Sequence, residues 1–518
     1  MARRAEPLIR VAGGAAGGLL AALTLGTLAA VAANATGVAR LDPADLAALR
    51  FTLVQAGLSA LLSVALAVPV ARALARRSFP GRGVLVALMG APFILPVIVA
   101  ILGLLAIFGR GGMVNAALGA LGLPGVTIYG FWGVILGNVF FNLPLAVRLI
   151  LQGWLAIPAE RFRLAAALGF GPREVARLIE RPMLRAVAPG ACLAIFLICL
   201  TSFAIALTLG GGPAATTIEL SIYQAFRFDF DLGRAALLAG LQFGLCAIAT
   251  LVALKLTLPE AALAGLDRPV RRWDADALAL RALDAVAIGL AGLFLVLPLL
   301  AVALSGAAAL PGLPAEVWTA ALRSLAVALA SAAICAVVAL ALGLARSRGV
   351  GRWLDLAGML PLAASPLVLG TGLFILIDPV ADPAALALPV TALVNALLAL
   401  PFAMRALLPA LQQIEATQGR LADSLDLPAL ARLRLVTLPR LRRPLGFTLG
   451  LAAALSMGDL GVITLFAGSD GATLPLEIYR LMGAYRMAEA DGAALLLLIL
   501  SLALFWIFDR GGRVNAEA

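Results

Sequence analysis

The chain has 518 residues, a formal net charge of +11, 63% hydrophobic residues and only 13% charged ones. That ratio lies outside the range of water-soluble domains, so the chain reads as an integral membrane protein. Histidine is absent and Lys255, followed by Leu256, is the sole lysine, which excludes imidazole-based metal or triad chemistry and a Gly-Lys-Ser/Thr phosphate loop from this chain.

Uncharged stretches of about 20 residues recur, long enough to cross ~30 Å of hydrocarbon as helices, and the alternating ten-residue pattern of a β-barrel is not seen. The fold class is therefore all-α. Met1-Ala-Arg-Arg4 precedes an uncharged run from Val11 to Ala33, too long for the apolar stretch of an ordinary signal peptide, so this run is expected to remain as the first span. Further spans are predicted near Phe51 to Val70, Val84 to Phe108, Phe131 to Ile150, Ala186 to Leu209 and Ala235 to Ala253. A second six follow near Ala285 to Leu304, Ser324 to Leu344, Leu356 to Ile377, Leu388 to Met404, Leu445 to Phe466 and Gly492 to Phe508, giving about 12. Cys192, Cys199, Cys246 and Cys335 all fall within apolar runs, without the paired spacing of a zinc site or disulfide scaffold, and read as small core residues.

Basic residues near span ends are retained on the cytoplasmic side. With the N-terminus inside, 31 of the 39 Lys and Arg residues fall in cytoplasmic groups and 8 lie opposite. Both termini are thus expected to be cytoplasmic in a bacterial inner membrane. The positive charge is a topological signature, since the arginines are dispersed over separate loops; no nucleic-acid partner is expected.

The chain also repeats itself. At an offset of 257, Asn138, Pro144, Ala146 and Arg148 fall on Asn395, Pro401, Ala403 and Arg405. The same offset carries Arg163, Leu164, Ala165, Leu168, Arg177, Leu178 and Pro182 onto Arg420, Leu421, Ala422, Leu425, Arg434, Leu435 and Pro439. Earlier in each half an offset of 270 fits better, matching Arg76, Arg82 and Pro96 with Arg346, Arg352 and Pro366, so the first half has 13 extra residues around Gly109 to Gly125. Six spans separate equivalent positions, which gives both halves the same orientation about a pseudo-two-fold along the membrane normal. The organisation expected is a first repeat at 1–257, a cytoplasmic linker at 258–282 and a second repeat at 283–518.

After each fourth span, Gln152 to Arg185 and Gln412 to Arg443 are too charged to insert and carry short runs at helical spacing, predicting cytoplasmic helix-turn-helices. Each resembles the EAA loop of ABC-importer permeases: Glu-Ala-Ala, three residues, Gly, nine residues, an aliphatic residue, two residues and Pro. Leu164, Ala165, Gly169, Ile179 and Pro182 fit in the first copy, and Leu421, Ala422, Val436 and Pro439 in the second. The Glu position is Arg163 or Arg420, so Glu-mediated contacts do not carry over; the second Gly position is Asp426, which tolerates a left-handed turn better than most residues. The resemblance implies that these loops dock in the clefts of a separate ATPase, and small Ala165 and Ala422 suit tight packing in such a cleft.

Four longer strings stand out: Arg76-Arg-Ser-Phe-Pro-Gly-Arg82, Phe140-Phe-Asn-Leu-Pro144, Leu209-Gly-Gly-Gly-Pro213 continuing through Thr216 to Gln224, and Ser456-Met-Gly-Asp-Leu-Gly461. On these, nearly the whole chain resembles the fused twelve-helix thiamine permease family of bacterial ABC importers. The resemblance implies two tandem six-helix repeats of the type I ABC importer fold and transport of thiamine, or also its phosphates, from a periplasmic thiamine-binding protein. It implies two copies of a cytoplasmic ABC ATPase as partners, with ATP bound there and no cofactor in this chain. Fused ferric-ion permeases share the architecture, and major-facilitator transporters also have two sets of six helices; Asp509-Arg-Gly-Gly-Arg513 resembles a fragment of the latter's loop motif but lies in a different place.

Within the spans, Asp459 carries an insertion cost of ~2.5 to 3.5 kcal/mol and must face protein or water; its mate at offset 257 is Ser202. It is either a negatively biased point on the transport path or a packing residue hydrogen-bonded beside Gly458 and Gly461. Asn138 and Asn395 read as interhelical glue with the path as the alternative, and Pro96 and Pro366 as kinks in pore-side helices. Outside are Glu219, Asp229, Asp231, Asp470, Glu477, Glu489 and Asp491; Thr217 to Tyr223 and Thr473 to Tyr479 suggest shallow re-entrant or interfacial helices anchored by Tyr, compatible with a docking ledge for a binding protein. Without a phosphate loop, the purified chain is expected to hydrolyse no ATP and to transport nothing alone; ATP-dependent uptake in liposomes holding only this chain would refute that.

Overall fold

The computed structural model describes residues 2–35, 41–90, 94–255, 272–351, 353–468 and 471–513. Its helices are α1 (Ala2–Ala35), α2 (Pro43–Arg76), α3 (Arg82–Leu88), α4 (Val97–Phe108), α5 (Met113–Ala120), α6 (Phe131–Leu155), α7 (Ala159–Ala167), α8 (Pro172–Val175), α9 (Arg181–Leu200), α10 (Phe203–Leu209), α11 (Ile218–Arg227) and α12 (Leu232–Lys255). The second half continues with α13 (Leu278–Ala309), α14 (Ala315–Ser347), α15 (Trp353–Met359), α16 (Pro366–Ile377), α17 (Ala387–Ser424), α18 (Ala429–Arg432), α19 (Leu438–Met457), α20 (Gly461–Phe466), α21 (Leu474–Gly483) and α22 (Met487–Arg513). No strand occurs among the described residues. Eleven helical stretches are long and apolar enough to cross a membrane, and Pro366–Ile377 is a shorter apolar helix.

Four predicted spans are not single helices. The run Val84 to Phe108 divides into α3 and α4, and Leu356 to Ile377 into α15, a 3₁₀ turn at Leu360–Ala363 and α16. Pro96 caps α4 and Pro366 opens α16, each starting a helix after an interruption instead of kinking a continuous one. Ala186 to Leu209 breaks at Thr201-Ser202 between α9 and α10, and Leu445 to Phe466 at Gly458 to Leu460 between α19 and α20. Hydropathy cannot see such breaks, because the residues on both sides remain apolar.

The 13 extra residues of the first half contain α5, whose turn is closed by Asn115: its amide donates to the Gly109 and Val126 carbonyls at 2.8 Å each and its carbonyl accepts from Val126 N–H at 2.7 Å.

The first helix of each half crosses to the other. α1 packs on α14 and α16, whereas α13 packs on α2 and α4 as well as α22. Glycines permit the close crossings: a Cβ on Gly372 of α16 would lie 2.5 Å from the Thr27 carbonyl oxygen of α1, and one on Gly103 of α4 would lie 2.5 Å from the Pro298 carbonyl oxygen of α13. Small residues at helix interfaces let backbones approach where lipid supplies no hydrophobic drive for association. Polar tethers add to this. Asn138 Nδ2 donates to Gln55 Oε1 at 2.8 Å, and Gln55 Nε2 donates to the Cys199 carbonyl at 2.8 Å, joining α6, α2 and α9. Cys199, Cys246 and Cys335 are buried and Cys192 half-buried, all as free thiols.

α11 and α21 hang from the preceding spans by matching hydrogen bonds. Ile218 N–H donates to Thr52 Oγ1 at 2.9 Å, and Leu474 N–H donates to Ser324 Oγ at 2.8 Å. A buried hydroxyl of α2 or α14 thus satisfies an otherwise orphaned amide at each helix start.

Gly372→Ala is expected to destabilise the purified protein by about 1 to 3 kcal/mol through the α1 crossing. Gly14→Ala, where a Cβ meets nothing within 4 Å, should be neutral or slightly stabilising. Thermal unfolding in detergent compares them directly; equal midpoints for both variants would contradict the crossing's tightness.

Candidate functional site

The two charged loops fold into the same chain path by different local means. In the first, Pro158 caps α7, separating it from α6, which ends at Leu155. Its counterpart at offset 257 is Glu415, which allows the helix to continue, so α17 runs unbroken for 38 residues through Arg420, Leu421 and Ala422. The turns then match: Gly169 has φ +70° and Asp426 φ +47°. Asp426 adopts the left-handed conformation expected at the Gly position. Each loop next forms a single π-helical turn, at Ala176–Glu180 and Leu433–Thr437, directly before the helices that carry Pro182 and Pro439. Such turns are uncommon and concentrate at functional positions.

Ala165 and Ala422 do not face outward. Each is only 2% exposed because it packs within its own chain, which corrects the expectation that these alanines enter a partner's cleft. The outward positions belong to leucines that recur at the 257-residue offset: Leu164, Leu168 and Leu178, and Leu421, Leu425 and Leu435, every one more than half exposed. Arg163 and Arg420 lie beside them and are exposed, Ile179 and Val436 are half-buried, and Pro182 and Pro439 are exposed. Six leucines, three at matching positions in each loop, are thus exposed on otherwise charged segments.

The bracing behind the patches is unequal. Glu180, buried at the end of the first π turn, accepts from Arg72 at 2.6 Å and Arg272 at 2.8 Å, with Arg76 at 3.5 Å. Arg272 also meets Asp274 at 2.7 Å and lies over the Phe162 ring of α7, 4.5 Å from its centroid. Trp273 Nε1 donates to the Phe170 carbonyl at 3.2 Å. Burial alone would raise the Asp274 carboxyl, but the hydrogen-bonded Arg272 guanidinium outweighs it and holds the group below the ordinary carboxylate range. The described end of the inter-repeat segment is therefore a clamp on the first loop; residues 258–271 of that segment lie outside the described residues. In the second loop Thr437 replaces Glu180, and the brace is Arg432, 2.6 Å from both Glu415 and Asp423, a more solvent-accessible arrangement.

The four helix interruptions meet near the centre. A Cβ on Gly458 would lie 3.0 Å from Pro96 Cα, and one on Gly461 would lie 3.3 Å from Pro366 Cβ, 3.5 Å from Asp459 Oδ1 and 4.0 Å from Phe203. Irregular backbone at membrane depth is tolerated where protein covers it or it lines a cavity, and it marks the binding level in transporters. Asp459 Oδ1 accepts from Gly461 N–H at 3.1 Å, while Oδ2 has no hydrogen-bond partner. Asn395 neighbours this carboxylate and donates from Nδ2 to Ser456 Oγ at 3.1 Å. Ser202 Oγ, beside Phe203, is likewise buried without a partner. Ser202, Asn395 and Asp459 therefore gather at the interruptions, whereas Asn138 belongs to the α2–α6–α9 tether.

Glu219 was grouped by sequence with the outer acidic ledge, but it is fully buried and neither carboxylate oxygen has a hydrogen-bond partner. α11 is packed into the protein, with Ile218, Glu219, Ile222 and Tyr223 all buried. Asp229 remains exposed, and Asp470 lies outside the described residues.

No family model matches the chain. It is 40% identical over 524 residues to the thiamine transport system permease protein ThiP of Brucella abortus (strain 2308), an alignment covering 98% of this chain and 96% of that relative. It is 41% identical over 473 residues to ThiP of Escherichia coli (strain K12), covering 89% of this chain and 88% of the relative. The chain belongs to the thiamine transport system permease family. The permease is also 30% identical over 182 residues to the molybdenum transport system permease protein ModB of Azotobacter vinelandii, covering 35% of this chain and 80% of ModB, in keeping with the type I ABC importer permease fold.

Removing Arg272 from the permease leaves Glu180 to Arg72 and Arg76 but strips Asp274 of its buried partner, a change that typically costs 3 to 5 kcal/mol. Arg272→Ala is expected to raise hydrogen exchange and protease cleavage in the first loop selectively, leaving the second loop unchanged. Uniform exchange across both loops would contradict the clamp.

Proposed function

We propose that this permease forms the membrane path of an ATP-driven importer for thiamine and that its two cytoplasmic loops receive two copies of a separate ATPase. The observation that carries the ATPase assignment is the duplicated leucine patch, Leu164, Leu168 and Leu178 against Leu421, Leu425 and Leu435. Burying a leucine stabilises an interface by roughly 1.5 to 3 kcal/mol, so three per loop are enough to hold a partner once the orientational cost is met. The thiamine assignment follows from what the full-length relatives are named to transport.

In this reading the chain comprises the repeats 1–257 and 283–518, both termini are cytoplasmic, and a periplasmic thiamine-binding protein delivers the substrate. No cofactor is held by the permease itself; ATP is bound by the ATPase subunits. Closure of those subunits draws the two loops together. Because α7 and α17 are each packed through buried Ala165 or Ala422 against the rest of the chain, and the π turns lead directly into α9 and α19, the displacement reaches the interruptions at Thr201-Ser202 and Gly458 to Leu460. Alternating access then follows as a population shift between inward-facing and outward-facing states, each favoured by a different partner state. Within the path, Asp459 supplies negative charge for a cationic substrate, with Ser202 and Asn395 as polar neighbours.

Leu164→Asp combined with Leu421→Asp is expected to abolish ATPase co-purification while leaving membrane insertion intact, since these side chains touch solvent and not the core. Ala165→Asp should instead lower the amount of folded permease, because it places a carboxylate inside the chain's own packing. Retained ATPase co-purification in the double leucine variant would refute the docking surface. Asp459→Asn in a complex that retains its ATPase should reduce initial thiamine uptake; wild-type uptake would remove the charge-dependent role.

A further inference from the structure

Glu219 is a buried carboxylate to which the coupling argument gives no part. It lies one residue into α11, the short helix suspended from Thr52, and it is 0% exposed. Its polar neighbours are Ser365 and Gln242, both close enough to act on the carboxylate, though neither gives either oxygen a well-aligned hydrogen bond. Each neighbour belongs to the interrupted centre. Ser365 caps α16 with its Oγ accepting from Val368 N–H at 3.1 Å, and the adjoining Pro366 packs on Gly461 beside Asp459. Gln242 of α12 donates from Nε2 to the Leu200 carbonyl at 2.8 Å, at the α9–α10 break, leaving its own Oε1 without a partner. Glu219 and Asp459 therefore stand on opposite sides of the Ser365-Pro366 turn, one contributed by each half of the chain.

Most of the unpartnered atoms here are acceptors: Glu219 Oε1 and Oε2, Gln242 Oε1 and Asp459 Oδ2, with the Ser202 hydroxyl as the one group able to donate. A cluster dominated by acceptors in a low-dielectric interior favours a positively charged group with N–H donors. Two aromatic rings lie beside these acids: Tyr223 is one helical turn after Glu219, its ring 5.4 Å from that of Phe203, which in turn lies beside Gly461. Aromatic faces and carboxylates together suit an organic cation better than a hydrated metal ion, which would need oxygen ligands around it.

We propose that Glu219 and Asp459, with Gln242 and the Phe203 and Tyr223 rings, form a transient binding site for an aromatic organic cation carrying N–H donors, closed in this conformation. This rests on the transport path placed at the helix interruptions and extends it by assigning a second carboxylate and a specificity: the two halves contribute one acid each, so the site assembles and opens as they move relative to one another. A cation released from a binding protein meets Glu219 beneath α11 and passes to Asp459 across the Ser365-Pro366 turn.

Two measurements on the complex of permease, ATPase and binding protein test this. The first is thiamine uptake into proteoliposomes by complexes matched for subunit content. Glu219→Gln is expected to lower the initial rate at least tenfold, with Glu219→Asp recovering part of it; a wild-type rate in Glu219→Gln overturns the inference. The second needs no variant: modification of Glu219 in the wild-type complex by a hydrophobic carbodiimide, quantified by mass spectrometry, should slow several-fold with thiamine and not with an uncharged aminopyrimidine. Equal modification with and without thiamine overturns the inference. Failure of the wild-type complex to take up thiamine would instead overturn the functional reading on which it rests, and the two failures are thereby distinguished.

Discussion

The constraint on which the structure depends is the requirement that backbone and charge buried at membrane depth be satisfied within the protein. Helices meet it automatically along their length, so the chain is built of them. Every departure must be answered by a named group. Thr52 and Ser324 receive the first amides of α11 and α21, Ser365 receives an amide at the start of α16, and the interruptions at Ser202 and Asp459 are packed against Pro96, Pro366 and Phe203. Near the helix interruptions, Glu219, Gln242 and Asp459 are among the residues that keep oxygen atoms without a partner, and the proposed cation site rests on them.

Reciprocal crossing of α1 and α13 gives the two halves a shared framework. Because each half holds the other's first helix through glycine contacts, neither packs as an independent bundle, yet the helix interruptions lie where the halves meet. A rigid exterior with an irregular centre suits relative movement of the repeats: displacement at the loops is carried by packed helices and is taken up where the backbone already departs from regular helix. The first loop is also tied by Arg272, Trp273 and Asp274 to the segment joining the repeats, and no such tie to the second loop occurs among the described residues. The two loops thus present similar leucines to their surroundings on supports of different stiffness.

Much of the design was open to inspection in the chain itself. The absence of histidine and of a phosphate loop, the basic loops, and the recurrence of Leu164, Leu168 and Leu178 as Leu421, Leu425 and Leu435 are linear facts, and the strings around Phe140, Leu209 and Ser456 carried the family. The left-handed turn at Asp426 was legible as well, because its partner in register is a glycine. These features follow from composition, from period and from residue-by-residue conformational preference, which act over a few positions.

Only the tertiary structure decided which way residues face and which of them meet. A hydropathy window averages across Thr201-Ser202 or Gly458 to Leu460 and reports one span, since a single broken turn leaves the mean unchanged. Ala165 and Leu164 are adjacent in the motif, but one is buried and the other exposed, a distinction set by how α7 packs against the rest of the chain. Glu219 reads as a surface acid from its loop-rich surroundings, and only the folding of α11 between the halves buries it. Arg272 and Glu180 are 92 residues apart, as sequence shows them two unremarkable charges, and become one buried clamp because ion pairing in a low dielectric depends on distance in space.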